Sequence, residues 1–320
     1  MKKWIVAVVV VIVWLGSLYF AYGFGSLFAT FQPGLSDAAR TALSVMITLP
    51  AGPASRPCDV DDPTTCGFAD TEGRQEMACE AFVGDDPDRA VLFAFGQSNS
   101  ANAARDRYVP VHDIVNFNPH DGKCYRAEDP LLGPDGLAGA VWGRVADELA
   151  HAGLYRQVMI VPIGIGGTEL SRWAPDGDLH VRVEATARML AGLGIRPTHV
   201  VWHQGESDVF AGTSTEEYVG QFSALAASLE TLGIDAPVFP AVATRCYFRE
   251  DMEVEYADSA ERIRAAQKRL PGQIPNVFPG PDTDTISGDR FRPDGCHFTA
   301  KGIAAQARLW VETLQAARSM

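Results

Sequence analysis

Past residue 88 the chain alternates between short, continuous apolar runs and longer stretches whose apolar positions recur every three or four residues. The runs fall at 90–95, 157–165, 198–203, 237–244 and, briefly, 276–278. Each is short and apolar throughout, as a strand is when both faces of its sheet are covered. Between them, 138–152, 180–193, 215–232, 259–270 and 299–317 carry helical spacing. In the first, Val141, Trp142, Val145, Leu149 and Ala152 follow a helical period. Gly194, Gly233 and Pro271-Gly272 stop three of these helices, and Thr299 caps the last. The alternation predicts an α/β fold with five parallel strands, right-handed crossovers and a doubly wound sheet.

Upstream the pattern changes. After Lys2 and Lys3 no residue from Trp4 to Ser36 is charged. Residues 4–24 match the length of about 20 residues that spans a bilayer, and the two lysines favour a cytoplasmic N-terminus with the rest exported. Two readings fit, an uncleaved anchor and a cleaved secretion signal. The run is long for a signal and lacks a convincing small-x-small cleavage site. Residues 32–88 read as an irregular leader rich in proline and cysteine, with a short helix over 35–49. The expected division is a membrane segment at 1–31, the leader at 32–88 and the α/β domain at 89–320.

The formal net charge of −13 argues against a nucleic-acid partner, whose phosphates need a basic surface. Six cysteines in an exported chain point to disulfides. Cys246 and Cys296, beside the expected active loop, are the pair singled out. No C-x-x-C pair occurs, and no histidine sits at ligand spacing from a cysteine, so no metal or other cofactor is expected.

Four polar motifs follow the apolar runs or precede the last helix. Ser98, in Gly96-Gln97-Ser98-Asn99, sits where open α/β sheets place their ligands, at a strand's carboxyl end. A serine needs a base to act as a nucleophile; without one it reads as a helix cap. His297, with Asp294 three residues earlier, offers that base and a carboxylate to hold it. Gly166-Gly167 follows the second run and presents backbone N–H groups to an oxyanion, or simply makes a tight connection. Gln204, in Gln204-Gly205-Glu206-Ser207-Asp208, offers a side-chain donor to the same oxyanion. Gln97, Asn99 and Glu206 read as supporting groups. A glycosidase pair at Glu206 and Asp208 would leave Ser98 and His297 without roles.

In that order, these motifs resemble the SGNH hydrolase superfamily, and within it the sialate O-acetylesterase and acetylxylan esterase group of carbohydrate esterases. The resemblance spans roughly 89–318. It implies a flavodoxin-like three-layer α/β/α sandwich and metal-free removal of O-acetyl groups from a saccharide. It also implies Ser98 as nucleophile, His297 as base and Asp294 as its partner. The implied oxyanion hole comprises the Ser98 N–H, an N–H of Gly166 or Gly167, and the Gln204 side chain. Glutamine at 204 matches the carbohydrate-esterase branch. The same triad also serves an acetyltransferase that passes the acetyl group to a sugar. A catalytically silent carbohydrate-binding protein is the alternative from another class.

Overall fold

The computed structural model describes residues 62–318. Their centre is a seven-stranded sheet: β1 (Glu76–Met77), β2 (Arg89–Gly96), β3 (Val115–Asn118), β4 (Lys123–Arg126), β5 (Gln157–Pro162), β6 (His199–His203) and β7 (Val238–Pro240). The order is β1-β4-β3-β5-β2-β6-β7. From β3 to β7 neighbours are parallel; β4 runs antiparallel to both β1 and β3.

The expected count of five strands is therefore corrected to seven. The run at 276–278 contributes only a parallel bridge from Val277 to Val238. The strands that sequence reading missed have a physical reason to be inconspicuous. In β3 alternate residues are Asn116 and Asn118, buried but polar. Asn116 closes two bonds with the Leu132 backbone, so a buried strand lacks the apolar run that marks its neighbours. β1 is only two residues long.

Helices cover both faces. α1 (Val141–His151) and α7 (Ala300–Arg318) lie on one; α2 (His180–Leu193), α4 (Thr215–Thr231) and α6 (Ala257–Gln273) lie on the other. Two short helices, α3 (Glu206–Ala211) and α5 (Met252–Glu255), complete the set. β2 divides its side chains between the two cores, because successive residues of a strand point to opposite faces. Val91, Phe93 and Phe95 join the first core, while Ala90, Leu92 and Ala94 join the second. The small alanines face the side where Trp142 and Trp310 pack 5.1 Å apart. α6 runs through Pro271 to Gln273 instead of stopping at Leu270.

The described part of the leader is largely irregular, but it joins the sheet. β1 pairs with β4, and Cys79 is disulfide-bonded to Cys124 at its edge. The buried Arg182 of α2 donates to the carbonyls of Pro63, Thr64 and Cys66 in the leader and to Gly133 O. The residues on which the membrane segment and the 35–49 helix were expected lie outside those described. Among the described residues no helix is long and apolar enough to cross a membrane.

Two features fix the rim where the strands end. Gly96 has φ +132°, and a Cβ there would stand 2.1 Å from His203 O. Only glycine lets β2 and β6 finish side by side. The anticipated Cys246–Cys296 disulfide is present, with a sequence separation of 50. We expect Gly96→Ala to cost about 3 kcal/mol or more through overpacking and strain, read as a lower denaturation midpoint; an unchanged midpoint refutes the constraint. Replacing Cys246 and Cys296 together with alanine should cost about 4 kcal/mol, from the entropy of the opened loop. A double variant as stable as the parent would show that other contacts already hold that loop.

Candidate active site

β2 ends at Gly96, and the chain turns at once into a short 3-10 turn, Ser98–Ser100. As its first residue, Ser98 has a backbone N–H with no acceptor inside the turn. The flanking residues fix this turn. Gln97 Oε1 accepts the N–H groups of Gly205 at 3.3 Å and Ser207 at 2.9 Å, where α3 begins. Asn99 Nδ2 donates to Glu206 Oε1 at 2.8 Å and to Cys296 O at 3.4 Å. Ser98 itself is only partly buried.

His297 comes from the loop before α7. Its Nε2 lies 3.1 Å from Ser98 Oγ, and its Nδ1 lies 2.8 Å from Asp294 Oδ2. Asp294 Oδ1 also accepts the backbone N–H groups of Cys296 at 2.9 Å and His297 at 2.7 Å. Burial pushes the Asp294 carboxyl up, but these bonds and the imidazole outweigh it and leave it below the usual range. An ionised Asp294 holding Nδ1–H leaves the Nε2 lone pair facing the serine hydroxyl. Arg292 anchors the loop. Its buried guanidinium donates to the carbonyls of Ile286, Arg245, Cys296 and Thr283, all at 2.8–2.9 Å.

Gly166 and Gly167 follow β5. A Cβ on Gly166 would lie 3.5 Å from Ser98 Cβ, so this glycine borders the serine. Gly167, at φ +67°, makes the exposed bend. The Gly166 N–H is not free. It donates to both carboxylate oxygens of Asp135, at 3.0 and 2.9 Å. Burial pushes the Asp135 carboxyl up to about 6, against the pull of that N–H, Arg182 and His297.

Gln204 directly follows β6 and is fully buried. Its Nε2 donates to Thr168 O at 3.0 Å and to Asp208 Oδ2, and its Oε1 accepts from the Tyr218 hydroxyl at 3.1 Å. A primary amide has two N–H donors, and both are committed. The amide expected to face an oxyanion is thus bonded to Thr168 and Asp208 in this structure. Asp208 Oδ2 also accepts the Leu170 N–H at 2.9 Å, so the pair holds the chain just after Gly167. Glu206, fully buried, meets Asn99 with one oxygen and approaches His203 Nε2 at 3.6 Å. His203 is held on its other side by Gln306 at 2.8 Å.

The structure therefore brings Ser98, His297, Asp294 and Gly166 to one point, with Gln97, Asn99, Gln204 and Glu206 behind them. Sequence reading missed Asp135 and Arg292. Asp135 sits in Gly133-Pro134-Asp135-Gly136, which reads as a turn. Arg292, in Phe291-Arg292-Pro293, looks like any surface arginine.

A family model described as a carbohydrate esterase, sialic acid-specific acetylesterase, matches residues 89–314. No curated protein matches the chain. Among solved structures, a protein from Arabidopsis thaliana is similar at 18% identity, covering 73% of this chain and 98% of that one, with TM-score 0.54. NanS is similar at 17% identity, covering 74% of this chain and all of that one, with TM-score 0.50. The acetyl xylan esterase Axe2 from Geobacillus stearothermophilus is more distant, at 14% identity over 74% of this chain and 96% of that one, with TM-score 0.43. The first two share the fold described above, with a central sheet between helical layers. A nucleophile-and-base geometry at the strand ends, within the span that the model matches, accords with ester hydrolysis, and the chain belongs to the sialic acid-specific acetylesterase family of carbohydrate esterases.

Proposed function

We propose that this carbohydrate acetylesterase works through an acyl-enzyme on Ser98 and removes O-acetyl groups from a saccharide. The observation that carries the reading is the continuous chain Ser98 Oγ–His297 Nε2–Asp294 Oδ2, with steps of 3.1 and 2.8 Å through the imidazole. His297 Nε2 takes the hydroxyl proton as Ser98 Oγ attacks the acetyl carbonyl. The negative oxygen that forms meets the Ser98 N–H, and the Gly166 N–H once that group is released from Asp135. Collapse expels the sugar oxygen, which receives the proton from His297. Water, activated by the same nitrogen, then releases acetate and restores the serine. Asp294 stays ionised throughout and stabilises the imidazolium. Gly166 rather than Gly167 is the proposed second donor, because it is the one beside Ser98.

Gln204 enters this reading as a positioning residue, through Thr168 and Asp208. The disulfides Cys79–Cys124 and Cys246–Cys296 support an exported protein, which suits a substrate among extracellular glycans. The catalytic unit in this reading is 89–320 together with the leader residues that pair with its sheet.

Ser98→Ala should lower kcat on p-nitrophenyl acetate by a factor on the order of 10³ or more, and a serine-directed phosphonate should label the parent on Ser98 alone. Near-parental turnover by the alanine variant would end the proposal. Asp294→Asn should lower kcat by roughly 10³–10⁴ through the wrong imidazole tautomer. A depressed carboxyl pKa stabilises the fold above the unfolded carboxyl's value of about 3.9 and loses that contribution as pH falls through its folded value. The stability gap between parent and Asp294→Asn should therefore be full at neutral pH and shrink as pH falls below the unfolded carboxyl's value of about 3.9. A gap independent of pH would exclude an ionised, stabilising Asp294.

A further inference from the structure

Asp135 holds the donor that the acetyl carbonyl would need. Both of its oxygens lie within 3.0 Å of Gly166 N. A Cβ on Gly166 would stand 3.4 Å from Asp135 Oδ2 and 3.5 Å from Ser98 Cβ, so the carboxylate and the serine flank the same glycine. A carboxylate there has the shape and charge of the acetate that the reaction releases. It also carries the charge that develops on the carbonyl oxygen as Ser98 attacks. Two like charges cannot share one N–H.

The backbone around Asp135 is fixed. Its N–H donates to Gly164 O at 3.1 Å, and its carbonyl accepts from Asn102 N at 2.9 Å. These bonds tie it to the chain after β5 and to the chain after the Ser98 turn. Two residues earlier, Gly133 gives its carbonyl to Arg182 at 2.9 Å. A Cβ on Gly133 would stand 2.1 Å from Pro162 O, so that part of the loop is wedged. The side-chain torsions of Asp135 are what remain free to turn. Arg182 and His297 act on the carboxylate through their charge, and Gly166 N–H is the donor from outside its own loop that bonds it.

From this geometry we infer that Asp135 is a side-chain gate on the acyl-binding site. In the empty enzyme its carboxylate caps the Gly166 N–H, and it must rotate away before an acetyl carbonyl takes that bond. It therefore competes with substrate and with product acetate for one donor. The inference rests on the proposed role of Gly166 in the serine mechanism.

The test compares the full-length parent, Asp135→Ala, Asp135→Asn and Ser98→Ala, using p-nitrophenyl acetate as substrate and sodium acetate as inhibitor. The expected result for Asp135→Ala is a rise of about tenfold in kcat/KM together with a fall of about tenfold in the acetate inhibition constant, a fraction of the 10²–10³ that one oxyanion donor carries. Asp135→Asn, uncharged and of the same size, should move both values the same way by less. If either value stays unchanged or moves oppositely in the soluble variants, the gate is overturned; should the alanine variant fail to fold, the asparagine variant decides by the same criterion. Full turnover by Ser98→Ala would overturn the serine mechanism itself, and the gate with it.

Discussion

The whole C-terminal half of the site hangs on one buried charge. Between Thr285 and Ala300 the chain has neither helix nor strand, yet His297 must sit within bonding distance of Ser98. The Arg292 guanidinium gathers four carbonyls from that loop and its neighbours, among them Cys296 O, next to the histidine. Burial lowers the Arg292 pKa to about 10, against the charges of Glu206 and Asp284. That still favours the charged form by roughly a thousandfold at neutral pH. Removing a buried ion from water costs several kcal/mol, so the loop is held where its carbonyls offset that cost. The Cys246–Cys296 disulfide and the Asp294 bonds to backbone N–H groups then refine the placement.

The charge also couples the two halves. Glu206, which opposes the desolvation of Arg292, bonds Asn99 beside the nucleophile. Its second oxygen is buried without a partner, so Glu206 is an electrostatic counterweight as much as a hydrogen-bonding brace. Gln97 and Gln204 extend this supporting layer toward β6 and the Gly166 turn. Most of the polar residues around Ser98 thus touch one another, which leaves the serine and the histidine as partly exposed groups in front of them.

How much of this was legible depended on the kind of signal. β2, β5 and β6 were plain because a strand covered on both faces is apolar throughout. β3 was hidden because Asn116 is buried for its bonds to the Leu132 backbone, which no periodicity encodes. The meeting of Ser98, His297 and Asp294 was legible because strand ends and a three-residue spacing limit where side chains can meet. For Gln204, position on the rim follows from the strand, but which acceptor its amide faces depends on Asp208 and Thr168, which the sequence does not bring together. Asp135 was invisible, since an aspartate between proline and glycine suits a turn equally well.

The leader deserves a different description from the one its irregular sequence suggests. Family similarity begins at residue 89, whereas the sheet begins at Glu76 and the carbonyls that accept from Arg182 begin at Pro63. A fragment cut at 89 would keep Ser98, His297 and Asp294. It would leave the Arg182 guanidinium three acceptors short, and Arg182 is what grips the loop two residues before Asp135. The border of sequence kinship thus cuts across the sheet, and the described residues ahead of it support the loop that carries Asp135 from outside the matched span.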